Sequence, residues 1–533
     1  MNLVESLERR AAERGGQPAI IETRGGRDAE TSFAGLASGS ARAAALLASR
    51  GVERGSHVLM LAPMSAGLYE LLIAVFRLGA VAMFLDPSAG RDHVGRCLRI
   101  LEPRAFVGSP RAHLLRLFVR ELRRVPAMFA LGGWAPGAVS CGRAAAAEPL
   151  AALARCEAEH PALVTFTSGS TGEPKAVVRT HGFLLAQHRA LEKALCLRPG
   201  ERDLTTLPIF LLANLASGVT SIIPDADLRR PGAIDPRPVL DQIHRLRPSS
   251  CGASPAFLER LCEACEEDGR NLAPIRRFFV GGGPVFPNLI ERGKHLLPEG
   301  ELIAVYGSTE AEPIAHVAAG EIAPGDFEHM RGGAGLLAGK PVEDIELAVL
   351  RNRWGTTIGP FDERAFRDAR CAAGATGEIA VSGAHVVRGY LGGHGDSETK
   401  FDVGGARWHR TGDLGRLDES GRLWLLGRCS AAIRDARGAL YPFAVECAAQ
   451  QLQGVRRAAL AFVGGRRVLA FERSGAHPSE EEARAALRWV QLDAVMRFDR
   501  LPLDRRHNTK IDYPKLVAEV ERRLRAQSND QSV

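Results

Sequence analysis

Residues 164–178 read VTFTSGSTGEPKAVV and gather groups suited to holding phosphate. A short apolar run from Leu163 to Phe166 leads into Thr167, Ser168, Gly169, Ser170, Thr171 and Gly172, and the stretch closes on Pro174 and Lys175. Glycine lets the backbone take positive φ, so amide N–H groups can converge on one point. The four hydroxyls add donors and Lys175 adds a positive charge, which together suit a polyphosphate. The stretch is not a Walker loop, because Lys175 follows a proline instead of opening a helix. A flexible Ser/Gly linker is the alternative, but a linker rarely follows a buried strand directly or ends in Pro-Lys before another apolar run.

TSGSTGEPK resembles the phosphate loop of the acyl- and aryl-adenylate-forming superfamily, which includes acyl-CoA synthetases, peptide-synthetase adenylation domains and beetle luciferases. Further signatures follow in the order of that family. Val280-Gly281-Gly282-Gly283-Pro284 resembles the strand-turn that lies along the adenine. Tyr306-Gly307-Ser308-Thr309-Glu310 resembles YGxTE, which implies Tyr306 on the adenine, Thr309 on a phosphate and Glu310 on Mg²⁺. Gly377-Glu378-Ile379 through Gly389-Tyr390 resembles GELxxxGxxxxxGY. Trp408 to Asp413 resembles [YW]xTGD, which implies Asp413 on the ribose hydroxyls. Gly427-Arg428 resembles the hinge pair whose arginine reaches the nucleotide. Single motifs of this kind are weak; six in order are specific.

The implied chemistry makes physical sense of these residue types. A carboxylate is a poor electrophile, and activating it requires an oxygen to attack the α-phosphorus of ATP. Negative charge then grows on that phosphorus and on departing pyrophosphate, where lysines and a carboxylate-held Mg²⁺ would offset it. Asp413 and Arg428 would fix the nucleoside, so that attack becomes effectively intramolecular. The family's catalytic lysine lies near the C-terminus in LPxxxxGKxxR, and LPLDRRHNTKIDYPKL aligns Lys510 with it. Thr509 replaces the usual glycine there and Tyr513 the usual arginine. Ser430 stands where the hinge usually carries Asp or Lys. Arg437 occupies the place of a glycine that approaches the pantetheine channel in CoA ligases, with Gly438 one residue late. That shift counts against CoA or a carrier protein as acceptor and leaves adenylation untouched.

TLPIFLLANLASG (206–218) stands where the family lines its acyl pocket, and Phe210, Leu211 and Leu212 offer apolar walls. No fixed charge is available there for an amino group, whose unpaired burial would be costly. A fatty or similar apolar acid is therefore expected; the alternative is that these side chains are simply core. The segments LPIFLLANLASG, WHRTGDLGRLDESGRLWLLGR and RRHNTKID are similar to the β-lactone synthetases of bacterial head-to-head olefin biosynthesis. In those enzymes the activated carboxyl of a 2-alkyl-3-hydroxy fatty acid is attacked by the substrate's own 3-hydroxyl. A conventional fatty acyl-CoA ligase is the second reading. A nucleotide-binding relative without catalysis is the third, opposed by the intact Lys175, Thr309, Glu310, Asp413, Arg428 and Lys510.

These residues need a scaffold that brings distant turns together. HVLML (57–61), AVAMFL (80–85), ALVTFT (162–167), RFFVGG (277–282) and LIAVYG (302–307) alternate with helical periods, which predicts an α/β architecture with largely parallel sheets. From Gly374 short strands and tight turns predict a small β-barrel-like portion, and after Arg428 a mobile α+β lid. The expected domains are 1–428 (AMP-binding), 429–525 (lid) and a disordered tail at 526–533. With 533 residues, 45% hydrophobic and 25% charged, the chain exceeds one core and reads as globular. The net charge of +7 is scattered, with no basic stripe interleaved with aromatics, so nucleic-acid binding is not expected. No cationic start precedes an apolar stretch, and Leu71–Leu85, broken by Arg77 and Gly79, is too short to span a bilayer. A cytoplasmic enzyme is expected, with ten reduced cysteines, the Cys262/Cys265 pair included, as small core residues. The sequence names no protein partner; the substrate is a small carboxylic acid.

Overall fold

The computed structural model describes residues 2–86, 90–168, 173–473, 478–504 and 509–530. The first sheet runs, edge to edge, Val139–Ser140, Ala127–Ala130, Ala105–Gly108, His57–Leu61, Val81–Phe84, Pro161–Ser168 and Pro174–Thr180. All neighbours are parallel except the last pair, which is antiparallel. Its inner strands are near-continuous apolar runs because both faces are covered. In His57–Leu61 the period of two divides them. Val58 and Met60 join a core with Phe33, Leu72 and Phe76 from the helices Phe33–Ala48 and Ala66–Arg77. Leu59 and Leu61 face Val94 and Leu98 of the helix Arg91–Ile100 on the other side. Leu71–Leu85 is a buried helix running into a strand, and Arg77 within it is ion-paired with Glu8.

Among the described residues the second sheet has fourteen strands. Pro18–Arg24, Thr220–Ile223, Arg202–Thr205, Ser250–Ala253, Arg277–Val280 and Glu301–Ser308 form its parallel centre. From Ala311–Ala318 onward the pairing is antiparallel, through Leu336–Pro341, Leu423–Arg428, Ala406–Leu417, Gly377–Ser382 and Glu346–Leu350. The barrel-like portion expected from Gly374 is this antiparallel run, continuous with the parallel centre.

After Arg428 the chain builds a smaller α/β layer. Val455–Val463, Arg466–Arg473 and Ala494–Phe498 form its sheet, with one core against the helix Pro442–Ala449 and another against the helix Tyr513–Asp530. That last helix continues to Asp530 where a disordered tail is expected from 526. Propagating a helix by a turn costs little once a packed face has nucleated it, and Leu516 and Val520 supply that face. Of the ten free cysteines, Cys262 and Cys265 are buried in the helix Pro255–Asp268, as a core role predicts.

Candidate active site

One cavity of about 1110 Å³ receives side chains from both sheets and from the C-terminal unit. Lys175, Gly282, Gly283, Pro284, Tyr306, Gly307, Ser308, Thr309, Glu310, Asp413, Arg428 and Lys510 all line it. Strand ends do the gathering. Glu301–Ser308 ends at the YGSTE turn, Arg277–Val280 ends at the glycine turn, and Thr167 sits opposite Lys175 in the antiparallel pair. The strands on either side of the segment expected to hold phosphate thus pair antiparallel. Gly169, Ser170, Thr171 and Gly172 lie outside the described residues, as do the side chains of Thr167 and Ser168.

Three of these side chains are tied together. Tyr306 donates its hydroxyl to Asp413 Oδ2 at 2.8 Å, and Arg428 Nη1 donates to Asp413 Oδ1 at 2.9 Å. Asp413 and Arg428 are direct partners across two antiparallel strands, so backbone pairing sets their spacing. The strand bearing Asp413 is anchored by Arg410, which donates to both Glu378 carboxylate oxygens at 3.0 and 2.6 Å. Both partners are fully buried, and burial is the larger effect on Glu378, pushing its carboxyl up against the pull of Arg410. Breaking such a pair by removing one partner costs about 3–5 kcal/mol. The GEI segment therefore holds the TGD strand in register.

Elsewhere in the cavity, Lys175 Nζ lies 3.0 Å from Glu398 Oε2. Glu310 Oε1 accepts the Tyr390 hydroxyl at 3.0 Å. Two ammonium groups lie near the Tyr390 ring, Lys175 Nζ and Lys400 Nζ each 5.5 Å from its centroid. Lys400 is buried, donates to the Val387 carbonyl, and burial brings its ammonium down to about 8. Ser308 Oγ is buried with no hydrogen-bond partner among the described residues. Among the described residues no group of three or more His, Cys, Asp and Glu side chains could hold a metal by itself. The Glu310 carboxylate, which lines the cavity, fits Mg²⁺, an ion that takes few protein ligands and completes its shell with water and phosphate oxygens.

Lys510 enters from the C-terminal unit on a turn closed by Asp504. That carboxylate accepts the Thr509 and Lys510 amides at 3.2 and 3.0 Å, and the Asp504 amide donates to the Lys510 carbonyl at 2.8 Å. A Cβ on Gly283 would stand 2.6 Å from Thr509 Oγ1, so only glycine lets the turn come this close. Tyr513 donates its hydroxyl to Glu446 Oε1 at 2.5 Å, joining the two helices that flank the small sheet. Burial pushes the Glu446 carboxyl up to about 7.

One expectation falls elsewhere. Phe210, Leu211 and Leu212 do not line the cavity. Their helix, Pro208–Ser217, is apolar on more than one face: Leu211 packs with Ile20 and Phe76, Phe210 with Leu191 and Phe279, and Leu212 against the N-terminal core. The apolar walls come from Phe166, Val285, Ala304, Val305 and Leu337, which sit beside the site motifs and show no periodicity of their own. Ser430, expected at the hinge, is exposed in the single turn Cys429–Ala431 that directly follows Arg428. Sequence reading also missed Glu398, Lys400, Asp504 and Glu446, whose partners become visible only in three dimensions.

Residues 7–391 match the model of the AMP-binding enzyme family. The chain belongs to that family. It is 33% identical over 511 residues to the olefin β-lactone synthetase of Stenotrophomonas maltophilia, covering 90% of each chain. It is likewise 33% identical over 554 residues to the olefin β-lactone synthetase of Xanthomonas campestris pv. campestris, covering 97% of each. Its fold is similar to that of the anthranilate CoA ligase AuaEII in complex with anthranoyl-AMP (TM-score 0.81, 20% identity, 99% of this chain and 98% of that one). The protein is an AMP-forming, acid-activating enzyme, with the large N-terminal and small C-terminal domains of adenylate-forming ligases.

Proposed function

We propose that this AMP-binding enzyme adenylates a 3-hydroxy fatty acid and lets the substrate's own hydroxyl displace AMP, giving a β-lactone without CoA. A carboxylate oxygen attacks the α-phosphorus of ATP and the bond to pyrophosphate breaks. The 3-hydroxyl oxygen then attacks the acyl carbon, the bond to AMP breaks, and the hydroxyl proton leaves to solvent. Lys510 would bond the carboxylate and α-phosphate, Thr309 and Lys175 the phosphates, and Tyr306, Asp413 and Arg428 the nucleoside. Glu310 would hold Mg²⁺, which offsets charge on pyrophosphate when bound. Residues 429 onward act as the lid, hinged at Gly427-Arg428 and Ser430.

The observation that carries the CoA-independent step is Arg437. Its guanidinium folds onto the lid, 2.7 Å from Asp493 Oδ2 and 3.1 Å from Asp435 Oδ2, and donates to the Gln491 carbonyl at 3.1 Å. A bulky, ion-paired side chain thus stands where CoA ligases carry a glycine beside pantetheine. Mass spectrometry of products from ATP, Mg²⁺ and 3-hydroxy fatty acids, with and without CoA, tests the reading. A product one water lighter than the acid, formed without CoA, is expected; a thioester that forms only with CoA would replace this reading with that of a fatty acyl-CoA ligase.

A further inference from the structure

Large apolar side chains gathered in water mark a contact surface. Leu114, Leu117, Phe118 and Trp134 are 57, 68, 56 and 75% exposed. They share one corner of the first sheet. Arg116, in the turn Leu114–Leu117, donates to the Pro136 carbonyl at 2.7 Å, which ties that turn to the loop bearing Trp134. A Cβ on Gly133 would stand 2.7 Å from Pro110 Cγ, a second tie between the two segments. The Arg91 guanidinium covers one face of Phe118, 3.8 Å from the ring centroid.

The charge around these side chains is mostly positive. Between Pro110 and Gly137 there are five arginines, no lysine and a single acid, Glu121. Glu121 is ion-paired with Arg99 at 2.5 Å, so it does little to offset the others. Arg111, Arg120, Arg123 and Arg124 are exposed.

We propose that this corner docks the enzyme on anionic membrane surfaces, with the four apolar side chains at the headgroup–acyl boundary and the arginines on lipid phosphates. A bilayer places its anionic layer directly over an apolar one, which is the pairing that leucine and aromatic side chains ringed by arginine complement. Contact is peripheral: among the described residues no helix is long and apolar enough to cross a membrane. None of the four apolar residues lines the catalytic cavity, so the surface does not depend on which acid is activated.

Co-sedimentation of the full chain with phosphatidylcholine vesicles, with or without phosphatidylglycerol, tests this. The enzyme is expected to bind vesicles containing phosphatidylglycerol, to be released by salt, and to shift its tryptophan emission to shorter wavelength. Leu117→Ser with Trp134→Ser is expected to weaken binding at least about tenfold while acid-dependent pyrophosphate release is retained. Arg120→Glu with Arg124→Glu, at exposed positions, is expected to remove the preference for the anionic lipid. Equal partition with either vesicle, or variants that bind as the parent does, would overturn the proposal. So would a parent that ignores vesicles but forms a dimer which the serine variant loses; that result would assign the corner to a second copy of the chain.

Discussion

Lys510 reaches the cavity because three short-range facts coincide: Asp504 closes its turn, Thr509 lies against a residue with no side chain, and the C-terminal unit sits over the glycine turn. An ammonium placed in advance where charge develops needs no reorganisation during the reaction. Lys510→Ala is therefore expected to lower acid-dependent pyrophosphate release about 10²–10³-fold. ATP binding, measured by calorimetry, should survive, since Tyr306, Asp413 and Arg428 hold one another without the lysine. Unchanged turnover would remove Lys510 from the chemistry. At this scale much of the cavity lining is legible in the sequence, because many of its residues sit in short motifs whose members are neighbours in the chain. The supporting partners are not: Tyr390 and Glu310 are 80 residues apart, and Lys175 and Glu398 are 223 apart. No local spacing encodes such pairs.

Elements explain why one expectation failed and others held. The strands predicted from apolar runs formed as expected, because parallel strands covered on both faces leave an unmistakable pattern. The helix Pro208–Ser217 is apolar for the same reason, being covered on several sides by core, and its composition could not distinguish that from a substrate wall. The lid has its own element-scale signature in Glu446, which ties the helix Pro442–Ala449 to Tyr513. Its folded-state carboxyl titrates near about 7, above the ordinary 4.5. Between those values the folded chain binds a proton that the unfolded chain has released, so stability falls as pH rises through this window. The contribution lost is at most about 3 kcal/mol. Glu446→Gln keeps a neutral partner for Tyr513 and is expected to flatten the decline in Tm between about pH 5 and pH 8. A variant whose Tm declines as steeply as the parent's would show that Glu446 does not titrate there.

At the scale of the whole molecule the site exists only where the two units meet. The lid rests on helices of the large unit through Arg456, 3.1 Å from Glu259 and 3.0 Å from Glu263, and through Asn288, which donates to the Gln450 carbonyl at 2.8 Å. Such ion pairs are each weak and open to salt, whereas the apolar contacts are not: Cys447 is buried in the core of the large unit and Phe443 meets Phe286 edge to face, 6.1 Å between centroids. This arrangement brings Lys510 to the cavity, where the proposed adenylation step would use it. The second step needs no new entrant if the nucleophile is already part of the substrate, and Arg437 folded onto the lid accords with that. Oxygen tracing follows both steps at once. With the carboxylate of a 3-hydroxy fatty acid labelled with ¹⁸O, and no CoA present, one labelled oxygen is expected in the phosphate of AMP and the other in the carbonyl of a product lighter by one water. AMP without label, or labelled AMP formed only when CoA is supplied and accompanied by a thioester, would contradict acyl-adenylate formation followed by closure on the substrate's own hydroxyl.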